Sequence, residues 1–213
     1  MSLFLGKIHY WLYNKILWFE EIEDKIVKSV EKEDKIIGDL VNHVNSQFGA
    51  AIGGKPLEEI IDNSNIHGWL QAKIESAELR QAALITEILK WNCSYKSKLL
   101  EIYKDQGEAA AREYNGNVDS PEKIFNAMND FILEGMPCDR VNEIVTSNDD
   151  QFVWKTTMCL HKPYWNRVAG DIQNFYKLRQ AWIKGFVEAI NSEYTYEKSE
   201  GGINRIIRKN IEL

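Results

Sequence analysis

Cysteine is scarce in this chain of 213 residues: Cys93, Cys138 and Cys159 are all there are. They lie far apart, with no pair at zinc-site or redox-motif spacing. So sparse and odd a set excludes a disulfide framework and points to a reducing compartment, the cytoplasm. Of four prolines only Pro56 falls in the first half, so long helices can run there without a breaker. Long apolar runs are missing as well. Met1 to Phe19 comes nearest, but Lys7, His9, Asn14 and Lys15 interrupt it and no small-residue cleavage site follows. The stretch falls short of the roughly 18 to 20 apolar residues that a bilayer span needs, so no membrane partner is expected. Basic residues are outnumbered, 26 Lys and Arg against 32 Asp and Glu, for a net charge of −6. That balance argues against nucleic acid, whose binding draws on clustered Lys and Arg. A P-loop, a dinucleotide glycine fingerprint, HExxH and a nucleophile elbow are all absent, so the motifs leave the cofactor unknown.

What is present is an ordinary apolar content of 44%. At this length it suffices to bury about 70% of the unfolded surface without staples. Ile8, Trp11, Leu12, Phe19, Ile22, Ile26 and Val30 recur at helical spacing and predict a long amphipathic first helix, with Glu20, Glu21, Glu23 and Asp24 crowding its other side. A second helix is predicted over 34–48, then a glycine-rich loop and a short turn at 57–61. Asp62, Asn63, Ser64 and Asn65 are N-cap candidates for a helix reaching Trp91. Further helices are predicted over 94–114 and, with Pro121 in its first turn, over 120–131.

After Gly135-Met136-Pro137 the period changes to two, and alternation about Asn148-Asp149-Asp150 predicts a β-hairpin. Helical spacing returns over 164–190, and two short alternating runs follow, 194–198 and 203–209. The expected fold is α+β, with long N-terminal helices packed on a C-terminal antiparallel sheet of about four strands. The 164–190 helix would cover one sheet face. A four-strand sheet is too thin to stand alone, so 1–213 is expected to form a single composite domain, helical over 1–133 and α+β over 134–213.

Three groups of residues carry candidate chemistry. Cys159 and His161, two residues apart at the end of the second predicted strand, would share a face. They suit a nucleophile and base, or, joined by Cys138, a zinc site; equally, they are a buried thiol and a histidine capping the next helix. No metal site is assigned. His67, Gln71, Glu75 and Glu78 occupy an arc of about 80° on the 62–91 helix, as a pocket-lining ridge or a solvated face. Aromatic residues are dense, with 7 Trp, 9 Tyr and 8 Phe. Trp154, Trp165 and Tyr176, with Arg179 and Arg167 for charge, suit a planar or carboxylate-bearing ligand, or an aromatic core or oligomer interface.

Val153-Trp154-Lys155-Thr156-Thr157-Met158-Cys159 ending a strand, His161 to Trp165 opening a helix, and Tyr194 to Gly202 leading into a glycine turn resemble a known pattern. It is that of the L-2-amino-thiazoline-4-carboxylic acid hydrolase-like family and the related vinyl reductase ligand-binding domains, over the last 75 residues or so. The resemblance implies an α+β ligand-binding unit and hydrolytic opening of a small sulfur- and nitrogen-containing ring, with the family's strand-ending cysteine falling on Cys159. Relatives often carry a second cysteine after the glycine turn; here that stretch reads Gly201-Gly202-Ile203-Asn204-Arg205-Ile206. The functional expectation is therefore a small-molecule-binding protein, a hydrolase if an enzyme. Cys159 and His161 would be catalytic, and His67, Trp154, Trp165, Tyr176 and Arg179 would hold the substrate. The alternatives are a non-catalytic sensor or carrier, or a homo-oligomer packed through Ile8, Trp11 and Phe19 of the first helix.

Overall fold

The computed structural model describes residues 5–31 and 37–209; the first residues of the apolar N-terminal stretch, Met1 to Phe4, and the expected helix start at Asp34 lie outside them. The helical elements are α1 (Lys7–Glu31), α2 (Ile37–Phe48), α3 (Leu57–Ile60), α4 (Ile66–Trp91), α5 (Tyr95–Glu113), α6 (Pro121–Asn129), α7 (Lys162–Arg167) and α8 (Ile172–Ile190). The strands are β1 (Asn142–Ser147), β2 (Gln151–Thr156), β3 (Tyr194–Lys198) and β4 (Ile203–Arg208). The fold is α+β, with the four-stranded antiparallel sheet following the N-terminal helices. The chain divides into two compact units, neither continuous in sequence. Unit 1 is Met1–Tyr95, Ile132–Asp139 and His161–Ile172; unit 2 is Lys96–Phe131, Arg140–Leu160 and Gln173–Leu213.

Unit 1 is built on α4. Its N-terminus is fixed by Asn65, whose side chain accepts a hydrogen bond from the Gly68 N–H at 3.1 Å, satisfying one of the free donors of the first turn. Ile66, Leu70, Ile74 and Ala77 pack against Leu12, Tyr13, Ile16 and Phe19 of α1 in one apolar cluster. Farther along, every residue from Ala77 to Thr86 is buried, the mark of a helix enclosed on all sides. Glu78, Arg80, Gln81 and Thr86 lie in that span, so the core of this unit must satisfy charge as well as exclude water. On α1, Ile8 is exposed, Trp11 half-buried and Phe19 buried, so of the three residues offered for oligomer contact Phe19 belongs to the core.

The expected 164–190 helix is two helices. After α7, the Ala169 N–H bonds the Asn166 carbonyl at 3.1 Å and the Gly170 N–H bonds the Trp165 carbonyl at 2.8 Å. Ala169 adopts the left-handed conformation with φ 52°, the usual way a helix closes its last carbonyls. A Cβ on Gly170 would collide with the Thr86 hydroxyl, which fixes glycine there. Apolar periodicity ran across this break because the spacing on either side happens to agree.

Unit 2 holds the sheet, in strand order β1-β2-β4-β3. The hairpin forms where alternation placed it: Asn148 Oδ1 accepts from the N–H groups of Asp150 and Gln151 at 3.0 and 2.9 Å. A bulge between Ile144 and Thr146 shifts the register of β1 and leaves Ile144 and Val145 exposed. Phe125 of α6 stacks on Phe152 and meets Trp154 at a tilt, at ring separations of 4.5 and 4.8 Å. These aromatic contacts of β2 thus go to α6, while α8 pairs with α5. Gly107 and Gly185 permit that pairing: a Cβ on Gly107 would enter the Trp182 carbonyl, and one on Gly185 would lie 2.5 Å from the Lys104 carbonyl oxygen. Across the sheet runs a polar chain from Tyr196 Oη to Asn204 Oδ1 (2.7 Å), Asn204 Nδ2 to Thr156 Oγ1 (3.2 Å) and Thr156 Oγ1 to Asn142 Oδ1 (3.0 Å).

Candidate functional site

In unit 1 the ridge on α4 is a docking seam. His161, the residue before α7, is buried and has both ring nitrogens engaged, Nδ1 with Glu78 Oε1 at 2.8 Å and Nε2 with Glu134 Oε1 at 3.2 Å. Burial opposes the imidazolium, but the Glu78 and Glu134 carboxylates more than offset it and raise the pKa to about 9. At neutral pH His161 is therefore a cation donating two N–H bonds, with no lone pair to take a proton. Gln71 bonds the Tyr164 hydroxyl, and Glu75 Oε1 accepts from Arg167 Nη1 at 2.8 Å. Ridge positions 71, 75 and 78 thus meet α7 or the residue before it.

The fourth ridge residue, His67, meets α1 instead. The Gly6 N–H donates to His9 Nδ1 at 2.9 Å, and His9 Nε2 lies 3.2 Å from His67 Nε2. Since Nδ1 of His9 accepts, its ring proton sits on Nε2, the nitrogen that faces His67 Nε2. Burial, then the neighbouring His67, holds the His9 pKa below its ordinary value.

A second buried charge cluster is centred on Arg80, two residues past Glu78 on α4. Arg80 Nη2 meets Glu20 Oε1 at 2.5 Å and its Nε meets Glu23 Oε2 at 2.9 Å, while Nη1 donates to Ser76 Oγ and the Gly49 carbonyl. Burial, opposed by Arg80 and reinforced by Glu20 and Asp24, lifts the Glu23 carboxyl to about 8. Two acids share one guanidinium, and one of them keeps its proton at neutral pH. Among the described residues no group of three or more His, Cys, Asp or Glu side chains is placed to hold a metal ion. Two clefts of about 370 Å³ open on this unit. Much of their charge is already committed: Arg167 to Glu75, Glu87 to Lys90, Glu20 to Arg80 and Glu21 to Lys25.

In unit 2 the expected strand end is corrected. β2 stops at Thr156, so Cys159 and His161 both lie beyond it and the shared-face argument lapses. Cys159 belongs to unit 2, half-buried, with its sulfur facing the Tyr176 hydroxyl. Burial first, then the thiol, pushes Tyr176 up to about 12, so it remains an O–H donor to the sulfur. The Lys198 ammonium stands 4.7 Å above the Tyr176 ring, and Arg179 stands 5.1 Å above Phe175. Trp154 is buried among Phe125, Phe152 and Tyr196. Trp165, in unit 1, is among the most deeply buried side chains; both tryptophans act as core.

Beside Tyr176 a cleft of about 310 Å³ is bounded by Leu100 of α5, by Lys177, Gln180, Ala181 and Lys184 of α8, and by Tyr196 and Lys198 of β3. Its lining contains three lysines and no carboxylate. None of these lining residues was singled out from the sequence. The available signal was the i, i+3, i+4, i+7 set at 177, 180, 181 and 184, which defines the α8 face away from buried Phe175, Leu178, Trp182 and Phe186. The sites sort accordingly: Cys159, Trp154, Tyr176 and Arg179 belong to unit 2, and His67, His161 and Trp165 to unit 1.

No family model, no curated protein and no solved structure matches this chain. No helix among the described residues is long and apolar enough to cross a membrane.

Proposed function

We propose that this chain is a non-catalytic binding protein, a sensor or carrier, for a small anionic molecule held in the unit 2 cleft beside β3. One observation carries the reading: three ammonium groups and no carboxylate line a cleft in a chain whose net charge is −6. Leu100, Ala181 and Tyr196 give it an apolar floor, the combination that lets a small ligand be both desolvated and oriented. The carboxylate-bearing ligand expected from sequence keeps its chemistry and moves from Arg179 to the lysines. Three free thiols, two of them exposed, support a cytoplasmic setting.

Hydrolysis is the second reading, favoured by the Tyr176 hydroxyl on Cys159. In that reading Cys159 is the nucleophile and Tyr176 the proton donor, while His161 serves unit 1 as a cation. Calorimetry with a panel of small mono- and dicarboxylates and phosphate esters tests the binding function. Saturable binding that weakens with salt and is lost in Lys177→Gln is the expected result. Binding unaffected by Lys177→Gln contradicts it, and turnover of a thiazoline carboxylate that disappears in Cys159→Ser replaces it with the enzyme.

A further inference from the structure

We infer that the cleft selects a two-headed anion, a short dicarboxylate or similar dianion with an acid at each end of an apolar spacer. The inference rests on the anion-binding reading above and adds the ligand class. Lys177 and Lys184 are two helical turns apart on one face of α8, so their Cα atoms are separated by roughly 10 Å. Between them the face carries Gln180 and Ala181, and Leu100 and Tyr196 also line the cleft. Charge is thus confined to the two ends, and the middle is uncharged and largely apolar.

The ends are unequal. Lys198 sits over the ring of Tyr176, the residue next to Lys177, with its ammonium 4.7 Å from the centroid. That places Lys198 with Lys177 at one end of the cleft. Lys184 holds the other end, its nitrogen 3.9 Å from Glu188 Oε1, beyond hydrogen-bond distance. Glu188 Oε1 is also the acceptor for Thr195 Oγ1 at 2.8 Å, which keeps it occupied when the ammonium turns toward a ligand. A monoanion satisfies one end and leaves the other solvated. A dianion of matching length satisfies both, and its spacer covers Ala181 and Tyr196.

The test is calorimetry on the full chain at low ionic strength with succinate, adipate, suberate and hexanoate. Adipate or suberate is expected to bind at least about tenfold more tightly than hexanoate, a difference of about 1.4 kcal/mol. Lys184→Gln, on an exposed side chain, is expected to erase that preference by bringing the dianions to the hexanoate level. Equal affinity for hexanoate and the dicarboxylates overturns the two-headed ligand and leaves anion binding standing. A dianion preference that survives both Lys177→Gln and Lys184→Gln overturns the assignment to this cleft. Failure of all four probes and of inorganic phosphate to bind overturns both readings.

Discussion

The two units treat charge in opposite ways. Unit 1 draws its charged groups inward: Arg80 with Glu20 and Glu23, and His161 with Glu78 and Glu134, are ion clusters around an almost wholly buried stretch of α4. Unit 2 closes its core with aromatic rings and a neutral hydrogen-bonded chain across the sheet, and leaves three lysines at a cleft. A buried cluster of opposite charges is specific in geometry and costly to break. A cation at a surface cleft contributes little to folding. Perturbed titration is often taken to mark an active site; here the large histidine and glutamate shifts belong to the unit whose ions hold helices together.

The largest effect should come from Arg80→Met, which strands two glutamates in the core. A loss of about 3–5 kcal/mol is expected, or a fall in Tm of roughly 10 °C or more for a chain of this size. Hydrogen exchange should show the damage in α1 and α4 before β2 and β4; equal loss of protection everywhere would erase the contrast between the units.

A pH titration comes next. His161 is raised from 6.5 to about 9 and Glu23 from 4.5 to about 8, so in both cases the folded state holds a proton that the unfolded chain releases. The His161 contribution is complete below pH 6.5 and lost as pH rises through 9; the Glu23 contribution is complete below pH 4.5 and lost as pH rises through 8. Thermal stability should therefore decline between pH 6.5 and 9, by on the order of 3 kcal/mol for the His161 shift alone. The decline should flatten in His161→Gln, which is less stable throughout, and a wild-type profile flat across that range would deny the imidazolium.

In unit 2 the matching perturbation is steric. Gly107→Ala should cost about 1–3 kcal/mol by forcing α5 away from α8, with β1 and its partner strands following in hydrogen exchange. The smallest effect concerns His9. Its Nδ1 accepts the Gly6 N–H and its ring is held neutral, so this contribution is present above pH 6.5 and is lost as pH falls below it. His9→Gln should remove about 1 kcal/mol, the worth of a helix-terminal cap, together with the acid-side slope.

Much of this fold was legible in the sequence, and the reasons are local. Period-two alternation about Asn148 located the hairpin because the turn residue makes its own hydrogen bonds. Pro121 and Ser120 marked the start of α6 through capping chemistry. The break between α7 and α8 was hidden because an alanine, Ala169, occupies the left-handed position that glycine ordinarily marks. Division into interleaved units was hidden as well, since it depends on contacts made by short segments such as Ile132–Asp139. For the site, sequence brought out Cys159 and Tyr176, which meet, and placed Glu78 and His161 in different constellations although they are hydrogen-bonded. Residues 83 apart in the chain become neighbours only when α7 docks. The lysines were passed over because each one alone looks like any solvated surface cation.

The claim that unit 1 uses its ions for structure and unit 2 uses its lysines for a ligand is tested most directly by mapping where an anion binds. Backbone amide NMR spectra recorded during an adipate titration should show saturable shifts at Leu100, Lys177 through Lys184, Tyr196 and Lys198, with His67, Glu78 and His161 unmoved. Shifts that gather instead around His67 and His161, with the α8 face silent, would contradict it.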